Sequence, residues 1–403
     1  MSHERRDRYV RNEPAGLSAR PVPNLDMSLD LSGMRVLIRT DASVEIGSGH
    51  LMRCLTLADQ LRSAGSAVAF ACCDLPGGLL DLLQAHGYRC VRLPLTSTGE
   101  SAQQDDAQAT LEAAGKLFPD GLDWLVVDHY ELDATWERLL RPHVRKLMVI
   151  DDLANRPHDC DLLLDQNYYR DLDRRYHGLV PEQCVTLLGP AYVLLRPEFA
   201  DARQRLRLRD GSVRRILVFF GGSDPANQTQ MAVEALKLLD RPDIRVDIVV
   251  GAANPNRDAI QALCDQLPNM AFHCQVSNMA DLILNADLGI GAGGATMWER
   301  CCLGLPTITV VFAANQERTT EDVAALGAIE YLGWSGQLRP EDYARAISGM
   351  IENPQRAWQI GNAALEVLQP GNTSLLEAMH CLGRGAEFFH SRSHAASSGT
   401  AQF

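Results

Sequence analysis

The sequence predicts an α/β protein with two doubly wound, parallel-sheet domains of the Rossmann-like kind that face each other across a cleft. The chain has 403 residues, which is more than one hydrophobic core usually supports. Hydrophobic residues make up 46% of the chain and aromatic residues only 6%, a balance typical of buried parallel strands rich in Val, Ile and Leu. Short apolar runs alternate with segments of helical periodicity from Met34 onward, which indicates crossover helices between parallel strands.

The first half of this pattern indicates an N-terminal domain over residues 34–205. Strands are expected at 35–38, 67–71, 124–127, 146–150, 161–164 and 186–188, where short aliphatic runs end in polar, Gly, Pro or Asp residues. Helices are expected at about 50–64, 77–86 and 101–116. The first of these elements read β-α-β-α, which predicts a parallel sheet.

A charged stretch over residues 201–214 has little apolar content and predicts the domain boundary. A C-terminal domain is expected over residues 212–387. Its strands are predicted at 216–220, 246–250, 271–274, 288–291 and 307–311, and its helices at 228–239, 257–267, 279–285 and 296–303. Ligands of such open sheets bind at the carboxyl ends of the strands, so the site is expected in the cleft.

Both ends of the chain are predicted to be flexible. Residues 1–33 are polar, Arg-rich and contain Pro, and the tail over residues 388–403 is rich in Ser, Ala and His from Ser391 onward. Met34 is an alternative start. Residues 1–33 lack the apolar core of a signal peptide, and no run approaches the roughly 20 apolar residues of a membrane span. A cytoplasmic location is therefore expected.

The net charge limits the possible partners. A formal charge of -13 argues against a nucleic acid or an anionic membrane, because both need a clustered basic face. An anionic small molecule can still be held by backbone N–H groups at a helix N-terminus. The eleven cysteines include no Cys-x-x-Cys pair and are expected to be reduced core residues. No long amphipathic stretch calls for a partner, so a monomer is expected.

The loop over residues 39–50 leads directly from the first strand into the first helix. Gly47 and Gly49 leave space for a phosphate or a sugar, and His50 stands at the start of the helix with Arg53 one turn later. The positive end of a helix favours a neutral imidazole that can accept a proton near pH 7. A simple glycine turn capped by His50 explains the pattern equally well, since the third Gly of a dinucleotide fingerprint is missing.

A second glycine-rich turn precedes the helix predicted at 296–303. It contains Gly289, Gly291, Gly293 and Gly294, followed by Ala295 and Thr296. A backbone without side chains can lie against a diphosphate, whose charge the helix N-terminus stabilises. Glu299, about one turn into the helix, is placed to accept hydrogen bonds from ribose hydroxyls. Tight packing of the glycines is the alternative.

Further polar groups follow other strands. Gly222 and Ser223 lie in the loop after the first strand of the second domain, where they can donate to a phosphate or a sugar. Asn315 follows the strand at 307–311, where its amide can read a sugar or uracil edge; an ordinary capped turn is the alternative.

Aspartates end two of the buried strands, at Asp128 and at Asp151 with Asp152. Paired aspartates suggest a metal, but no His or further carboxylate lies at metal-ligand spacing. Neither a metal nor a cofactor is therefore expected. A cysteine nucleophile is also disfavoured, because no cysteine lies in a glycine-rich loop.

Seven motifs follow one another between residues 34 and 382. They are R-x-D with I-G-x-G-H-x-x-R at 39–53, V-D-H-Y at 127–130, I-D-D at 150–152, the segment 161–167, G-P-x-Y-x-L-L-R-P-E-F at 189–199, G-G-S-D at 221–224 and G-x-G-G-x-T-x-W-E at 291–299. In this order they resemble the family of UDP-2,4-diacetamido-2,4,6-trideoxy-β-L-altropyranose hydrolases of pseudaminic acid biosynthesis, which is related to spore-coat polysaccharide proteins. Residues 1–33 and the tail depart from the family pattern and carry no motif.

The resemblance implies a GT-B-like fold, similar to that of the transferase that adds N-acetylglucosamine to lipid-linked muropeptide. It implies that His50 is the general base that activates water, and that Arg196, Glu299 and Asn315 contact the substrate or UDP. The full set of expected substrate and UDP contacts is Asp41, Gly47, Gly49, Arg53, Tyr130, Arg196, Gly222, Ser223, Gly293, Gly294, Ala295, Thr296, Glu299 and Asn315.

The reaction implied by the resemblance is hydrolysis without a metal. Water attacks the anomeric carbon with inversion, and UDP and free 2,4-diacetamido-2,4,6-trideoxy-L-altrose are released. Three alternatives stay open: a GT-B glycosyltransferase that uses a UDP-sugar, a non-catalytic UDP-sugar-binding protein, and a UDP-sugar 2-epimerase of similar fold.

Overall fold

The computed structural model describes residues 29–41, 49–73, 79–95, 101–368 and 374–384. The first sheet lies in the N-terminal half, and its strands have the spatial order β3-β2-β1-β4-β5-β6-β7. All of its strand pairs are parallel. The strands are β1 (Arg35–Thr40), β2 (Ala67–Cys73), β3 (Arg89–Leu93), β4 (Trp124–Asp128), β5 (Lys146–Ile150), β6 (Leu162–Asp165) and β7 (Val185–Leu188). The helices between them are α1 (Gly49–Ser63), α2 (Leu79–Ala85), α3 (Ala102–Leu117) and α4 (Ala134–Leu140).

The second sheet is also parallel and has the order β10-β9-β8-β11-β12-β13. Its strands are β8 (Arg215–Phe219), β9 (Arg245–Val250), β10 (Met270–Cys274), β11 (Leu288–Ala292), β12 (Thr307–Val311) and β13 (Glu330–Trp334). The helices of the second half are α5 (Pro197–Gln204), α6 (Gln228–Leu239), α7 (Arg257–Cys264), α8 (Met279–Asn285), α9 (Ala295–Cys302), α10 (Ala314–Ala325), α11 (Pro340–Glu352), α12 (Pro354–Val367) and α13 (Leu375–Gly383). Two parallel α/β domains were predicted, and both are confirmed.

Two strands were missed by the sequence pattern, and both lie at the edge of a sheet. β3 and β13 each pair with one neighbour, and all of their residues except Leu93 are partly buried or exposed. An edge strand needs fewer apolar side chains than a central one, because part of its surface stays in water. The aliphatic runs that marked the central strands are therefore interrupted in β3 and β13.

The order of the strands locates a crevice in each domain. The direction of chain progression reverses between β1 and β4 in the first sheet and between β8 and β11 in the second. Such a reversal opens a crevice at the carboxyl ends of the two strands, because their crossover helices lie on opposite faces of the sheet. The α1 N-terminus and the end of β4 therefore lie together in one domain, and the α9 N-terminus follows β11 in the other.

The predicted domain boundaries need correction. Helix α5 was assigned to the first domain, but Phe199 and Ala202 pack in one core with Met297 and Trp298 of α9. The segment after α5 packs on the second domain as well. Arg209 donates to the carbonyl oxygen of Leu303 at 2.6 Å and to those of Ile283 and Ala286 at the end of α8. The second domain thus begins before residue 205.

The two ends of the described chain also pack differently from the expectation. Leu375 and Met379 of α13 are buried in the core of the first domain with Trp124, so α13 returns to that domain although it was counted in residues 212–387. Leu31 is buried in the same core. The flexible extension that was predicted over residues 1–33 therefore ends before Leu31. Residues 1–28 and 388–403 lie outside the described chain.

Within the described chain, no helix is both long enough and apolar enough to span a bilayer.

Candidate active site

The centre of the site is a pair formed by His50 and Asp128. His50 lies in the first turn of α1, and Asp128 is the last residue of β4. Nδ1 of His50 is 2.5 Å from Oδ1 of Asp128, and Asp128 is completely buried. Burial alone would raise the pKa of Asp128, but the neighbouring Arg53 guanidinium and His50 imidazole hold it well below its usual range. The carboxylate therefore accepts the Nδ1 proton.

This pairing determines which imidazole nitrogen is left for chemistry. Because Nδ1 carries the proton that Asp128 accepts, Nε2 of the neutral ring keeps its lone pair. No described residue lies within hydrogen-bonding distance of Nε2. His50 can therefore act as a proton acceptor through Nε2.

Arg53 holds Asp128 from the other side. Its Nε and Nη2 are 2.6 Å and 2.7 Å from the two carboxylate oxygens of Asp128, and its Nη1 is 2.9 Å from Oδ2 of Asp152. This bidentate contact fixes the plane of the Asp128 carboxylate. Arg53 was expected to contact the substrate, but its guanidinium is buried and occupied by these aspartates, so a supporting role fits its position better.

Tyr130 connects this cluster with the second domain. Its hydroxyl donates to Oδ1 of Asp152 at 2.9 Å and accepts a hydrogen bond from Nδ2 of Asn315, also at 2.9 Å. The Tyr130 ring lies edge-on to the His50 ring, with the ring centroids 4.4 Å apart. Asn315 lies in the first turn of α10. Three of the predicted site residues, from both domains, are thus brought together.

Asp41 lies beside this cluster but is occupied by protein groups. Its carboxylate is within hydrogen-bonding distance of the Arg39 guanidinium at 2.9 Å, the Cys73 N–H at 2.7 Å and Nε2 of His129 at 3.2 Å. Nδ1 of His129 accepts the N–H of Glu131, so neither nitrogen of His129 is left for chemistry. Asp41 was expected to contact the substrate, and its partners indicate instead that it joins the ends of β1, β2 and β4.

Gly49 and Gly47 were both expected near the ligand. A methyl group at Gly49 would meet no atom of the described residues within 4 Å. Gly47 lies outside the described residues.

The paired aspartates Asp151 and Asp152 point to different partners. Asp151 accepts hydrogen bonds from Arg156 and from the N–H of Ala154, both at 2.8 Å, whereas Asp152 joins Arg53 and Tyr130. In the ranges that the structure describes, no three metal-ligating side chains converge on one point.

The N-terminus of α9 differs from that of α6, although both follow neighbouring strands. Asp224 caps α6, because its carboxylate accepts the N–H groups of Gln228 at 2.9 Å and Thr229 at 2.8 Å. At α9 the N-cap is Gly294, which has no side chain to cap the helix. The first N–H groups of a helix have no partner inside the helix. Those of α9, which include Ala295 and Thr296, can therefore bind an anion.

The glycines before α9 serve mainly in packing. A methyl group at Gly289 would lie 2.9 Å from the Leu305 side chain, at Gly291 2.4 Å from the Phe219 carbonyl oxygen, and at Gly293 2.1 Å from Oγ1 of Thr320. Only Gly294 has more space, with its nearest contact at 3.4 Å. The alternative of tight packing thus accounts for three of the four glycines, and the anion site depends on the uncapped helix end.

Arg196 and Glu299 form an ion pair at the rim of α9. Nη2 of Arg196 is 2.9 Å from Oε1 of Glu299, and its Nη1 is 3.0 Å from Glu198. No described residue is hydrogen-bonded to Oε2 of Glu299, so this oxygen is left to accept a ligand hydroxyl. Both residues were predicted from the resemblance, but their mutual contact was not.

Gly222 and Ser223 lie in the loop between β8 and α6. The backbone of Gly222 packs against Gly251, where a methyl group would approach the Gly222 carbonyl oxygen to 2.3 Å. Ser223 is partly exposed. Because β8 pairs with β11, this loop is the neighbour of the turn that leads into α9.

Sequence reasoning missed the roles of Asp128 and Asp152. Both were noted at the ends of strands, but neither was paired with His50 or Arg53. The signal available in the sequence was the position of each carboxylate at the carboxyl end of a strand; in the structure Asp128 ends β4, which pairs with β1, and Asp152 follows β5, which pairs with β4.

The chain is similar in sequence to several known proteins. Residues 216–367 match the model of the glycosyltransferase family 28 C-terminal domain. The chain is 27% identical over 300 residues to the UDP-2,4-diacetamido-2,4,6-trideoxy-β-L-altropyranose hydrolase of Campylobacter jejuni. This alignment covers 74% of this chain and 99% of that protein. It is 34% identical over 158 residues to the spore coat polysaccharide biosynthesis protein SpsG of Bacillus subtilis. This alignment covers 38% of this chain and 45% of that protein. The predicted resemblance to this family is confirmed.

Solved structures show the fold. MurG of Acinetobacter baumannii superposes with a TM-score of 0.58 at 17% identity, covering 87% of this chain and 98% of that one. Anabaena HepE, solved with UDP and glucose, has a TM-score of 0.51 at 13% identity, covering 87% and 99%. The protein has the GT-B fold, as predicted.

Proposed function

We propose that the protein is a hydrolase of UDP-2,4-diacetamido-2,4,6-trideoxy-β-L-altropyranose and that His50 activates the attacking water. The observation that carries this proposal is the contact between His50 and Asp128, because it leaves Nε2 of His50 as a proton acceptor at the crevice. The similarity to the Campylobacter hydrolase over nearly its whole length supports the choice of substrate.

In the proposed reaction, Nε2 of His50 takes a proton from water while the water oxygen bonds to the anomeric carbon. The bond between that carbon and the β-phosphate oxygen breaks, and its electron pair leaves with UDP. The products are UDP and the free sugar, with the configuration at the anomeric carbon inverted. The Asp128 carboxylate stabilises the imidazolium that forms, in the way that a buried aspartate supports a histidine base.

UDP is proposed to bind in the second domain. The uncapped N-terminus of α9, with Gly294, Ala295 and Thr296, would hold the diphosphate through backbone N–H groups. Oε2 of Glu299 would accept a ribose hydroxyl, while Arg196 holds the other carboxylate oxygen. Gly222 and Ser223 lie beside this turn and would complete the phosphate contacts.

A glycosyltransferase is the second candidate. The match of residues 216–367 to a glycosyltransferase domain favours it, and so does the similarity in fold to MurG. In that case Nε2 of His50 would take the proton from an acceptor hydroxyl instead of from water. The two candidates therefore differ in whether UDP is released in the absence of an acceptor.

The test is UDP release by the purified protein without acceptor or added metal. The protein is offered UDP-2,4-diacetamido-2,4,6-trideoxy-β-L-altropyranose and, separately, UDP-N-acetylglucosamine. Rapid multiple turnover of the first substrate, lost in His50→Ala and kept in His86→Ala, is the expected result. His86 is a matched control because it lies on the surface beside Asp59. If the protein turns over neither of the two substrates, the hydrolase proposal is overturned.

A further inference from the structure

Arg300 lies behind the N-terminus of α9 and takes no part in the proposed chemistry. It is only 3% exposed. Long side chains on a helix bend back toward its N-terminus, and that of Arg300 reaches the turn before α9. Its Nη2 donates to the carbonyl oxygen of Ala292 at 2.6 Å, and its Nη1 donates to Oγ1 of Thr296 at 3.1 Å.

In the described part of the chain Arg300 forms no ion pair, and the Glu299 carboxylate acts on its charge only from a greater distance. No carboxylate in the described part of the chain lies within ion-pair distance of its guanidinium, and its buried Nε has no hydrogen-bond partner there. Arg39 and Arg53, the buried arginines of the first domain, each contact two aspartates. Burial lowers the pKa of Arg300 to about 10, so the side chain remains a cation at neutral pH. A buried charge without a partner is costly.

The contact with Thr296 determines how its hydroxyl can be used. Oγ1 of Thr296 accepts a hydrogen bond from Arg300, so the single hydroxyl hydrogen is left to donate to another acceptor. Thr296 belongs to the first turn of α9, where the backbone N–H groups also lack partners inside the helix. Hydroxyl and N–H donors, with a cation behind them, are together suited to a phosphate group.

We propose that Arg300 is a positioning residue for the bound diphosphate: it holds Ala292 and Thr296 from behind, and the diphosphate on α9 balances its charge. This inference rests on the proposed function, because the diphosphate is that of UDP. It assigns a role to a side chain that does not itself touch the ligand.

The chain offers a matched control in Arg203 of α5. Arg203 is also buried and has no carboxylate within ion-pair distance among the described residues, and its Nη1 donates to the carbonyl oxygen of Cys302 at 2.6 Å. Cys302 is the last residue of α9, so Arg203 lies at the helix end remote from the proposed diphosphate.

The experiment measures the affinities of UDP and uridine by calorimetry for the wild type, Arg300→Met and Arg203→Met. Methionine keeps much of the apolar volume of the side chain and removes the charge. The expected result is that Arg300→Met loses UDP affinity by about tenfold or more, with uridine affinity changed less than twofold. Arg203→Met is expected to keep the wild-type ratio of the two affinities. Arg300→Lys is expected to recover part of the UDP affinity, because it restores the charge.

The outcomes separate failure of the proposed UDP site from failure of the role of Arg300. If the wild type binds UDP no more tightly than uridine, the proposed UDP site fails. If the wild type prefers UDP but Arg300→Met keeps that preference, or loses both affinities equally, the positioning role fails and the proposed function stands. If Arg300→Met does not fold, Thr296→Val and Arg300→Lys decide. Loss of the UDP preference in Thr296→Val, with Arg300→Lys intermediate, supports the inference, and an unchanged preference in both overturns it.

Discussion

Nδ1 of His50 faces Oδ1 of Asp128 at 2.5 Å, across the crevice between the first helix and the fourth strand of the chain. Nε and Nη2 of Arg53 donate to the two oxygens of the same carboxylate, so both oxygens must act as acceptors. Asp128 is therefore placed to hold one tautomer of His50.

Asp128→Asn is expected to lower kcat by about 10²- to 10⁴-fold. The amide replaces one acceptor by a donor, which must face either Arg53 or Nδ1 of His50, and in the second case Nε2 becomes protonated. UDP affinity is expected to stay within about threefold of the wild type, because Asp128 lies in the other domain. Steady-state kinetics and UDP titration measure the two effects. Asp106→Asn, which disturbs the Arg39 ion pair instead, controls for loss of a buried carboxylate; equal kcat in Asp128→Asn and wild type would contradict the role.

Tyr130→Phe is expected to lower kcat/KM by about tenfold while the melting temperature stays near that of the wild type. The variant keeps the ring against His50 and removes the hydroxyl between Asp152 and Asn315. Because the two side chains share one hydrogen bond, Tyr130→Phe and Asn315→Ala should not be additive in kcat/KM. A double-mutant cycle tests this. Strict additivity would show that the contact between the domains has no part in turnover.

Gly293→Ala is expected to lower the free energy of unfolding by about 1–3 kcal/mol. Its methyl group would lie 2.1 Å from Oγ1 of Thr320, so the backbone or Thr320 must move. The loss should shrink in a Thr320→Ala background, where the clashing oxygen is absent. Gly49→Ala, whose methyl group would meet no atom of the described residues within 4 Å, is the control. Urea denaturation measures all four variants, and a loss unchanged by Thr320→Ala would argue against the clash.

Asp165 is expected to make stability depend on pH. Burial, with a smaller contribution from the Asp152 charge, raises the pKa of Asp165 to about 7 in spite of Arg175. In the unfolded chain the pKa is about 3.9, so the folded state binds the extra proton between pH 4 and 7. The resulting stabilisation is complete below about pH 4 and is lost as the pH rises through 7.

Asp165→Asn removes this titration. Between pH 4 and 8, the free energy of unfolding of the wild type should fall relative to the variant by up to about 4 kcal/mol. Urea denaturation of both proteins at several pH values in this range measures the difference. A difference that does not change with pH would contradict the expectation.

The sequence was informative where a local pattern and its structural consequence coincide. The central strands are short aliphatic runs such as β4 and β12, which are buried along their whole length, and their alternation with helices predicted two parallel sheets. The edge strands β3 and β13 were missed because Arg92 and Gly333 interrupt their short apolar runs. Two positions in the site, His50 at the start of α1 and Thr296 at the start of α9, could be predicted because each directly follows a strand and a glycine-rich turn.

The sequence by itself determined the fold class, the loops at the ends of the strands and the candidate base. Only the tertiary structure decided that Asp128, 78 residues from His50, selects the tautomer of that base, that α5 and α13 each pack on the domain opposite to the one predicted, and that Arg300 is buried without an ion-pair partner among the described residues. The physical reason is that periodicity reports the solvent exposure of neighbouring residues, whereas a hydrogen bond or an ion pair depends on the register and packing of elements distant in sequence.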